Sequence, residues 1–422
     1  MAASPKRGSC SLTGVLSRPF IVLYLCVFVA TMGISMVSPL LPVYAKDLGA
    51  NGIWLGLTFS SFAIVQAIAG PGIGRISDRY ARKPFIVIGL VVYLIAALGY
   101  LTAGNFYQVI GFRAFSGFGT SAIFSVARAY IGDMTPAGRE GRWLGTFQTA
   151  DILGFGSGPV LAGLVRQFIG FDAVFVAMAA MMAISTVIVL VFLPNQTPRT
   201  EHEKSVSRAA EVPFRTAITN RLVAALTLFS ALTSLSFGAT LSFLALRLED
   251  DLGATPALIG LAFTAQDLAG GLFQPISGTL ADRWSRRAMV TVGLSLTACL
   301  MVVLGLAESF WLVMAVLMTM GAVNTVSFSA GSAIQVVAGR RVGMGTMLGL
   351  FSFGNGVGIV TGSLVGGLMK DLYGTPAAFY FGAVALGFGA VIFAVMTRGL
   401  RVNEDVAHSS HVPSAERSPE TT

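Results

Sequence analysis

Three charged side chains interrupt segments of the chain that are otherwise apolar. Arg113, Asp151 and Asp267 each lie inside an apolar run of roughly membrane-spanning length. A charge at the centre of a membrane helix costs about 2.5–3.5 kcal/mol on insertion scales, so such residues face a protein interior or a water-filled cavity. A carboxyl group placed there can bind and release a proton as its access to water changes. Asp151 and Asp267 are therefore candidate proton carriers.

Asp151 is the preferred carrier because of its depth. It lies twelve residues beyond Arg139, which is about 18 Å along a helix and close to the midplane of a bilayer. Arg113 lies roughly 10 Å from the opposite end of its own span, and we expect it to share a cavity with Asp151. The alternative is a static buried ion pair, or polar groups that simply face a wet cleft. Further candidates for the cavity wall are Gln148, Asn324 and Asn355.

The composition shows which elements hold these residues. The chain has 422 residues, of which 54% are hydrophobic and 11% charged, whereas soluble domains carry about 25% charged residues. Only helices explain apolar runs of this length, because lipid offers backbone groups no hydrogen bonds. The sequence predicts an all-α membrane protein with twelve transmembrane helices, at about 19–43, 53–73, 85–103, 106–131, 143–165, 173–193, 222–246, 256–277, 289–306, 309–336, 345–368 and 376–397.

The chain repeats itself at a distance of 204 residues. Residues 74–83 read GRISDRYARK and residues 278–287 read GTLADRWSRR, and without gaps 47–83 matches 251–287 at 12 of 37 positions. Two parallel halves of six spans, related by an axis along the membrane normal, are one repeat arrangement of secondary transporters. Asn355 then corresponds to Asp151 and Leu317 to Arg113, so the halves differ chemically where they would line a cavity.

The repeat divides the chain into segments, and its charges orient them. Only Lys46, Arg166, Arg247 and Lys370 fall in loops on one side, while nearly all other Lys and Arg fall on the side of the termini. Loops rich in Lys and Arg stay cytoplasmic, so we expect a multi-pass protein of the inner membrane with both termini in the cytoplasm. The segments are a cytoplasmic N-terminal segment 1–18, a six-helix bundle 19–193, a cytoplasmic linker 194–221, a six-helix bundle 222–397 and a disordered cytoplasmic tail 398–422.

Both charged decapeptides follow the pattern G-x-x-x-D-R-x-G-R-[RK], apart from one glycine. The matching residues are Gly74, Asp78, Arg79, Arg82 and Lys83, and again Gly278, Asp282, Arg283, Arg286 and Arg287. The fourth span adds R-x-x-x-G-x-G at Arg113 and ends in D-x-x-P-x-x-R at Asp133 and Arg139. With these motifs the chain resembles the major facilitator superfamily. The resemblance implies two pseudo-symmetric six-helix bundles, and a latch of these loop charges that closes the cytoplasmic side.

The fifth span reads GFGSGPVLAG, with Gly154, Gly158, Pro159 and Gly163. It resembles the G-x-x-x-G-P-x-x-G-G motif of the drug–proton antiporter branch of that family. Glycines on one helix face permit close backbone approach, and proline favours a bend. Because the eleventh span repeats the glycines, we expect the fifth and eleventh spans to form a close contact between the halves.

These observations predict a transporter that works by alternating access, most simply by proton-coupled export of a lipophilic or amphiphilic small molecule. The few polar groups inside the spans favour such a cargo over a sugar. Alternatives are a solute symporter or facilitator, a lipid translocator, and a non-transporting receptor or scaffold. We expect no enzymatic activity, no cofactor, no metal, no nucleic acid and a monomer, with the proton gradient as energy source, since no Walker P-loop is present.

Overall fold

A computed structural model of the chain describes residues 17–77, 80–135, 140–195 and 214–399. Most of the predicted N-terminal segment, linker and tail lie outside these ranges, as do Asp78, Arg79 and Arg139. The described helices are α1 Arg18–Val37, α2 Leu41–Asp47, α3 Gly52–Ser77, α4 Arg82–Leu101, α5 Phe106–Met134, α6 Glu140–Phe168, α7 Phe171–Phe192, α8 Phe214–Ile218, α9 Arg221–Leu246, α10 Pro256–Arg283, α11 Arg286–Leu306, α12 Phe310–Val342, α13 Met344–Tyr373 and α14 Thr375–Met396.

Eleven helical segments within the described residues are long and apolar enough to cross a membrane. The twelfth span is α6, which has 29 residues and would measure about 43 Å. It is less apolar than the others because its middle contains Gln148, Thr149 and Asp151. The predicted all-α membrane fold is confirmed.

The first span is divided where the sequence contains prolines. Pro39 follows the end of α1, and Pro42 begins the first turn of α2. A proline has no backbone N–H to donate and is tolerated in the first turn of a helix. The last turn of α1 is closed by the backbone N–H and the hydroxyl of Ser38, which both donate to the Ile34 carbonyl oxygen.

The two halves use the same helix packing. In the first half α1 packs against α6 and α7, α3 against α5, and α4 against α5 and α7. In the second half α9 packs against α13 and α14, α10 against α12, and α11 against α12 and α14. A shift of 204 residues converts one set into the other, so the repeat in the sequence is a repeat of structure.

The halves meet along two helix pairs, α6 with α10 and α3 with α13. The expected contact between the fifth and eleventh spans, α6 and α13, is therefore wrong. Sequence repetition shows which helices are equivalent, but equivalence does not determine which helices of the two halves are adjacent. The glycines of these spans do make close contacts, with the partners described below.

Candidate functional site

One end of the bundle is closed by close contacts between backbones of the two halves. We call this end the apex, and we call the end at which α1 begins and α14 ends the base. At the apex a methyl group on Gly163 would overlap the carbonyl oxygen of Pro256, and one on Gly260 would overlap that of Pro159. Only glycine lets α6 and α10 approach this closely.

The other helix pair is closed at the apex by a carboxylate. The Gly52 backbone N–H donates to Asp371 Oδ1 over 2.6 Å, and the Ile53 N–H donates to Asp371 Oδ2 over 3.1 Å. Asp371 on α13 therefore caps the N-terminus of α3 across the interface, where the helix dipole favours a negative charge. Gln167 makes the equivalent contact in the other pair, since its Oε1 accepts from the Ala257 N–H at 3.2 Å.

Two ion pairs join the halves beside these caps. Lys46 Nζ lies 2.5 Å from Asp250 Oδ1, and these residues are 204 positions apart, so the contact lies near the pseudo-two-fold axis. Arg166 forms a two-pronged pair with Glu249, with both N–O distances 2.6 Å. The apex is thus held shut by glycine contacts, caps and ion pairs.

Towards the base, the same helix faces separate. Nearer the base than the glycine contacts, Gly156 on α6 faces Asp267 on α10, with 3.5 Å between a Cβ placed on Gly156 and that of Asp267. One and two turns further along α6 lie Ile152 and Gln148, both exposed. Two turns beyond Asp267 lies Gln274, which is also exposed. Residues near the interface are thus uncovered towards the base, and we infer from this that the two halves bound a cleft that opens there.

Asp151 lies in this cleft within a network of polar side chains. Its Oδ1 accepts a hydrogen bond from Thr31 Oγ1 on α1 at 3.1 Å, and its Oδ2 accepts one from Gln148 Nε2 at 3.1 Å. Arg128 Nη2 on α5 lies 3.7 Å from the same Oδ2. The Asp151 side chain is 24% exposed and that of Arg128 is 56% exposed. Three helices of the first half thus present a half-buried carboxylate to the cleft.

Asp267 occupies a different position, at the boundary between the closed apex and the cleft. It is half-buried on α10 and faces Gly156 of the other half. A glycine opposite leaves space for the carboxyl group at the interface. Asp151 and Asp267 therefore lie in opposite halves, and only Asp267 is placed at the contact between them.

The predicted polar residues of the second half take structural partners. Asn355 Nδ2 donates to Ser234 Oγ at 2.8 Å and so joins α13 to α9, as Asp151 joins α6 to α1. Asn324 Oδ1 accepts from Thr297 Oγ1 at 3.1 Å, which joins α12 to α11. Asn355 is thus the uncharged counterpart of Asp151.

Arg113 does not share a cavity with Asp151, and that prediction is wrong. Its side chain is 1% exposed, and its guanidinium donates to Ser38 Oγ at 3.1 Å and to Tyr93 Oη at 3.3 Å. The rings of Phe59 and Phe62 lie 5.2 and 4.3 Å from the guanidinium carbon. Arg113 is therefore held inside the first half by hydroxyls and cation–π contacts, next to the break between α1 and α2.

Arg128, which pairs with Asp151, is not singled out by the sequence. Its place near the end of the fourth span makes it resemble a loop charge. A recognisable signal is present, since Arg128 lies six residues before the end of α5 at Met134 and thus about 9 Å deep. A long arginine side chain can reach further towards the midplane.

The loop charges proposed as a latch are described only in part. Arg82 Nε lies 2.5 Å from Asp133 Oδ2, and both are well buried within the first half. Lys83 Nζ donates to the Leu190 carbonyl oxygen at 2.8 Å. Gly74, Gly278 and Arg286 lie near helix ends at the base. The structure does not describe the side chains of Asp282 and Arg283. The latch therefore stays a prediction.

The motif glycines of α6 have two different partners. A Cβ on Gly154 would meet the backbone of α1 at Phe28, and one on Gly158 would overlap Ser35 of α1. Gly163 instead faces α10, and the Val160 N–H after Pro159 donates to Thr264 Oγ1 of α10 at 3.2 Å. The motif thus fixes α6 between its own half and the other one.

Two equivalent halves that close at one end and open at the other around a polar cleft define a membrane transporter, not an enzyme. The chain belongs to the Major Facilitator Superfamily, whose family model matches residues 23–246 and 226–419. Multidrug resistance protein MdtG of Proteus mirabilis is 27% identical over 393 residues, which cover 88% of this chain and 94% of MdtG.

Solved structures show the same fold. An inward-facing, occupied bacterial homologue of the human lysosomal transporter Spinster aligns with a TM-score of 0.74 at 14% identity, over 90% of this chain and 96% of that one. A point mutant of the nucleoside transporter NupG aligns with a TM-score of 0.73 at 15% identity, over 89% of this chain and 99% of that one. Proteins with this fold thus include one that is named as a transporter of nucleosides.

Proposed function

We propose that this transporter exports a lipophilic or amphiphilic small molecule in exchange for protons. The observation that carries the proposal is the network at Asp151, where a carboxylate near the midplane is reachable from the cleft and is paired with Arg128. The name of the relative MdtG, a multidrug resistance protein, supports this class of cargo. Because basic loops stay cytoplasmic, we place the base in the cytoplasm and infer that the described state faces inward.

The network suggests how a proton would act. As a carboxylate, Asp151 accepts hydrogen bonds from Thr31 and Gln148 and attracts Arg128. Proton binding removes that charge, so Arg128 is released and the two hydrogen bonds weaken. Loss of the proton in the inward-facing state would favour binding of the cargo, and reprotonation from outside would favour its release. Asp267 is the second candidate for this role, because it lies at the contact that must change when the apex opens.

The walls of the cleft support an amphiphilic cargo. Ile152 of α6 lies one turn from the interface contact at Gly156 and is 39% exposed. Phe353 of α13 lies one turn from Gly356, which contacts α3, and is 60% exposed. Gln148 and Gln274 add isolated hydrogen-bonding groups. A mainly apolar wall with few polar groups suits a molecule with a small polar part, and gives a sugar too few partners.

Flux into proteoliposomes tests the proposal. The purified chain, wild type and Asp151→Asn, would be reconstituted with tetraphenylphosphonium as the lipophilic probe under an imposed pH gradient. We expect the wild type to move the probe against the direction of proton flow, and Asp151→Asn to lose the dependence on pH while still exchanging probe without a gradient. Ser234→Ala is the matched control, because it removes the equivalent polar contact with Asn355 but no titratable group.

Other outcomes would select among the alternatives or reject the proposal. Movement of the probe in the same direction as protons would indicate symport, and movement unaffected by pH would indicate facilitated diffusion. A lipid translocator would move labelled phospholipid instead of the probe. If Asp151→Asn and Asp267→Asn both retained full proton-driven transport, neither aspartate would be the carrier.

A further inference from the structure

A basic groove lies at the base of the second half, away from the cleft, between α11 and α14. Its volume is about 350 Å³. Arg287, Thr291 and Ser295 of α11 form one wall, while the last turns of α14 and Arg398 form the other. Since the groove lies between two outer helices of a transmembrane bundle, it opens towards the lipid near one membrane surface.

The Arg287 guanidinium at this groove is fixed by the end of α14, because its Nη2 donates to the Ala394 carbonyl oxygen at 2.5 Å. Outside the groove lining, Arg221 Nη2 makes a similar contact with the Val395 carbonyl oxygen at 2.6 Å. Basic side chains commonly hydrogen-bond the last carbonyls of a helix. The contact of Arg287 uses one of the five N–H donors of its guanidinium. Arg398 follows Thr397, the C-cap residue of α14. It is exposed at the rim of the groove.

The equivalent position in the first half provides an internal comparison. A shift of 204 residues takes Arg287 to Lys83, and Lys83 makes the same contact with the Leu190 carbonyl. Capping of the neighbouring helix, or membrane orientation, therefore explains the basic residue in both halves. The shift takes Thr291 and Ser295 to Val87 and Val91, and Arg398 to Pro194. The two hydroxyls and the second arginine occur only in the second half.

The hydroxyl groups at this position have their donors satisfied and can still accept hydrogen bonds from a ligand. Thr291 donates to the Arg287 carbonyl and Ser295 donates to the Thr291 carbonyl, and Ser295 is exposed. Valine, which the first half has at both equivalent positions, would offer no such acceptor. Immediately beside them Val292 and Val391 are 62% and 63% exposed. A polar groove with an apolar wall fits a molecule with a polar head and a hydrocarbon chain.

We propose that this groove binds the headgroup of an anionic phospholipid. The phosphate would lie between Arg287 and Arg398, since guanidinium groups bind phosphate oxygens in pairs. The hydroxyl oxygens of Thr291 and Ser295 would accept hydrogen bonds from the hydroxyl groups of a glycerol headgroup, and the acyl chains would lie along the exposed valines. Basic pockets between membrane helices on the cytoplasmic side bind such headgroups. This lipid site is separate from the cleft. Binding of lipid there does not depend on which cargo the transporter moves.

Native mass spectrometry of the full chain in detergent tests this proposal, with phosphatidylglycerol, phosphatidylcholine and inorganic phosphate as probes. We expect phosphatidylglycerol to bind at least about fivefold more tightly than phosphatidylcholine, because each arginine near the headgroup contributes about a factor of five. Arg398→Gln should lower the affinity for phosphatidylglycerol about fivefold. The double change Thr291→Val and Ser295→Val, which copies the first half, should also lower it without lowering the melting temperature.

The matched control is Lys83→Gln, which removes the equivalent basic residue of the first half and should leave binding of phosphatidylglycerol unchanged. Equal binding of the two lipids would overturn the proposal. The proposal would also be overturned if Arg398→Gln and the valine variant both bound phosphatidylglycerol as tightly as the wild type does. An equal loss of affinity for phosphatidylglycerol in Lys83→Gln would overturn it as well. Full displacement of phosphatidylglycerol by millimolar phosphate would show a site for free anions instead of a lipid site.

Discussion

Opening of the apex should be controlled by the two-pronged ion pair between Arg166 and Glu249. These residues belong to opposite halves, so the pair must break when the halves separate at that end. Glu249→Gln removes the negative charge and keeps the size of the side chain. We expect this variant to populate states with an open apex more often than the wild type does.

The size of the effect follows from geometry and exposure. Both N–O distances are 2.6 Å, and the side chains of Arg166 and Glu249 are 11% and 30% exposed. Exposed ion pairs contribute about 0–1 kcal/mol, whereas hydrogen bonds to charged groups contribute about 1.5–3 kcal/mol. A partly buried pair lies between these limits, at about 1.4 kcal/mol, so the ratio of open to closed apex should rise about tenfold.

Measurement of the distance between two spin labels by electron paramagnetic resonance would detect this change. The native cysteines would be replaced, and the labels attached at Gly104→Cys and Glu308→Cys. These two positions lie on equivalent turns at the apex of opposite halves. The matched control is Asp251→Asn, which removes an ion pair with Arg247 inside one half. An unchanged distance distribution in Glu249→Gln, or an equal shift in Asp251→Asn, would refute the reasoning.

Three further predictions concern buried charged residues of the first half and a glycine at the contact between the halves. Arg113→Ala should lower the free energy of unfolding by roughly 2–4 kcal/mol, because it removes a buried group with several partners; thermal unfolding in detergent measures this. Asp133→Asn should destabilise by about 1.5–3 kcal/mol, since it removes the charge from a buried hydrogen-bonded pair with Arg82, and a double-mutant cycle with Arg82→Gln should show non-additive losses. Gly163→Ala should prevent complete closure of the apex and widen the distances between spin labels there, whereas Gly271→Ala, with open space around it, should not.

The repeat of 204 residues made much of the fold predictable. It indicated two equivalent halves, and the structure shows equivalent contacts such as those of Lys83 and Arg287 with neighbouring helix ends. The positions of the spans followed from hydrophobic length. Which helices of the two halves are adjacent is not predictable in this way, because a two-fold axis relates equivalent helices without determining which of them lie side by side.

The site was predictable only in part. Asp151 is predictable because a carboxylate in an apolar span is costly. Its neighbour Arg128 is not, because a charge near the end of a span resembles a loop charge in the sequence. The surroundings of Arg113 are not predictable from its charge, since hydroxyls and aromatic rings hold it instead of a carboxylate. Side-chain partners from distant spans depend on helix rotation, which apolar periodicity does not fix in an almost wholly apolar helix.

The most direct test of the central claim is to count protons released when cargo binds. The purified chain in weakly buffered solution with a pH indicator would be titrated with tetraphenylphosphonium at a series of starting pH values. Proton binding and probe binding are linked if both act on the same group, so the account predicts release of about one proton per transporter by the wild type and none by Asp151→Asn. Equal proton release by both proteins would contradict the account.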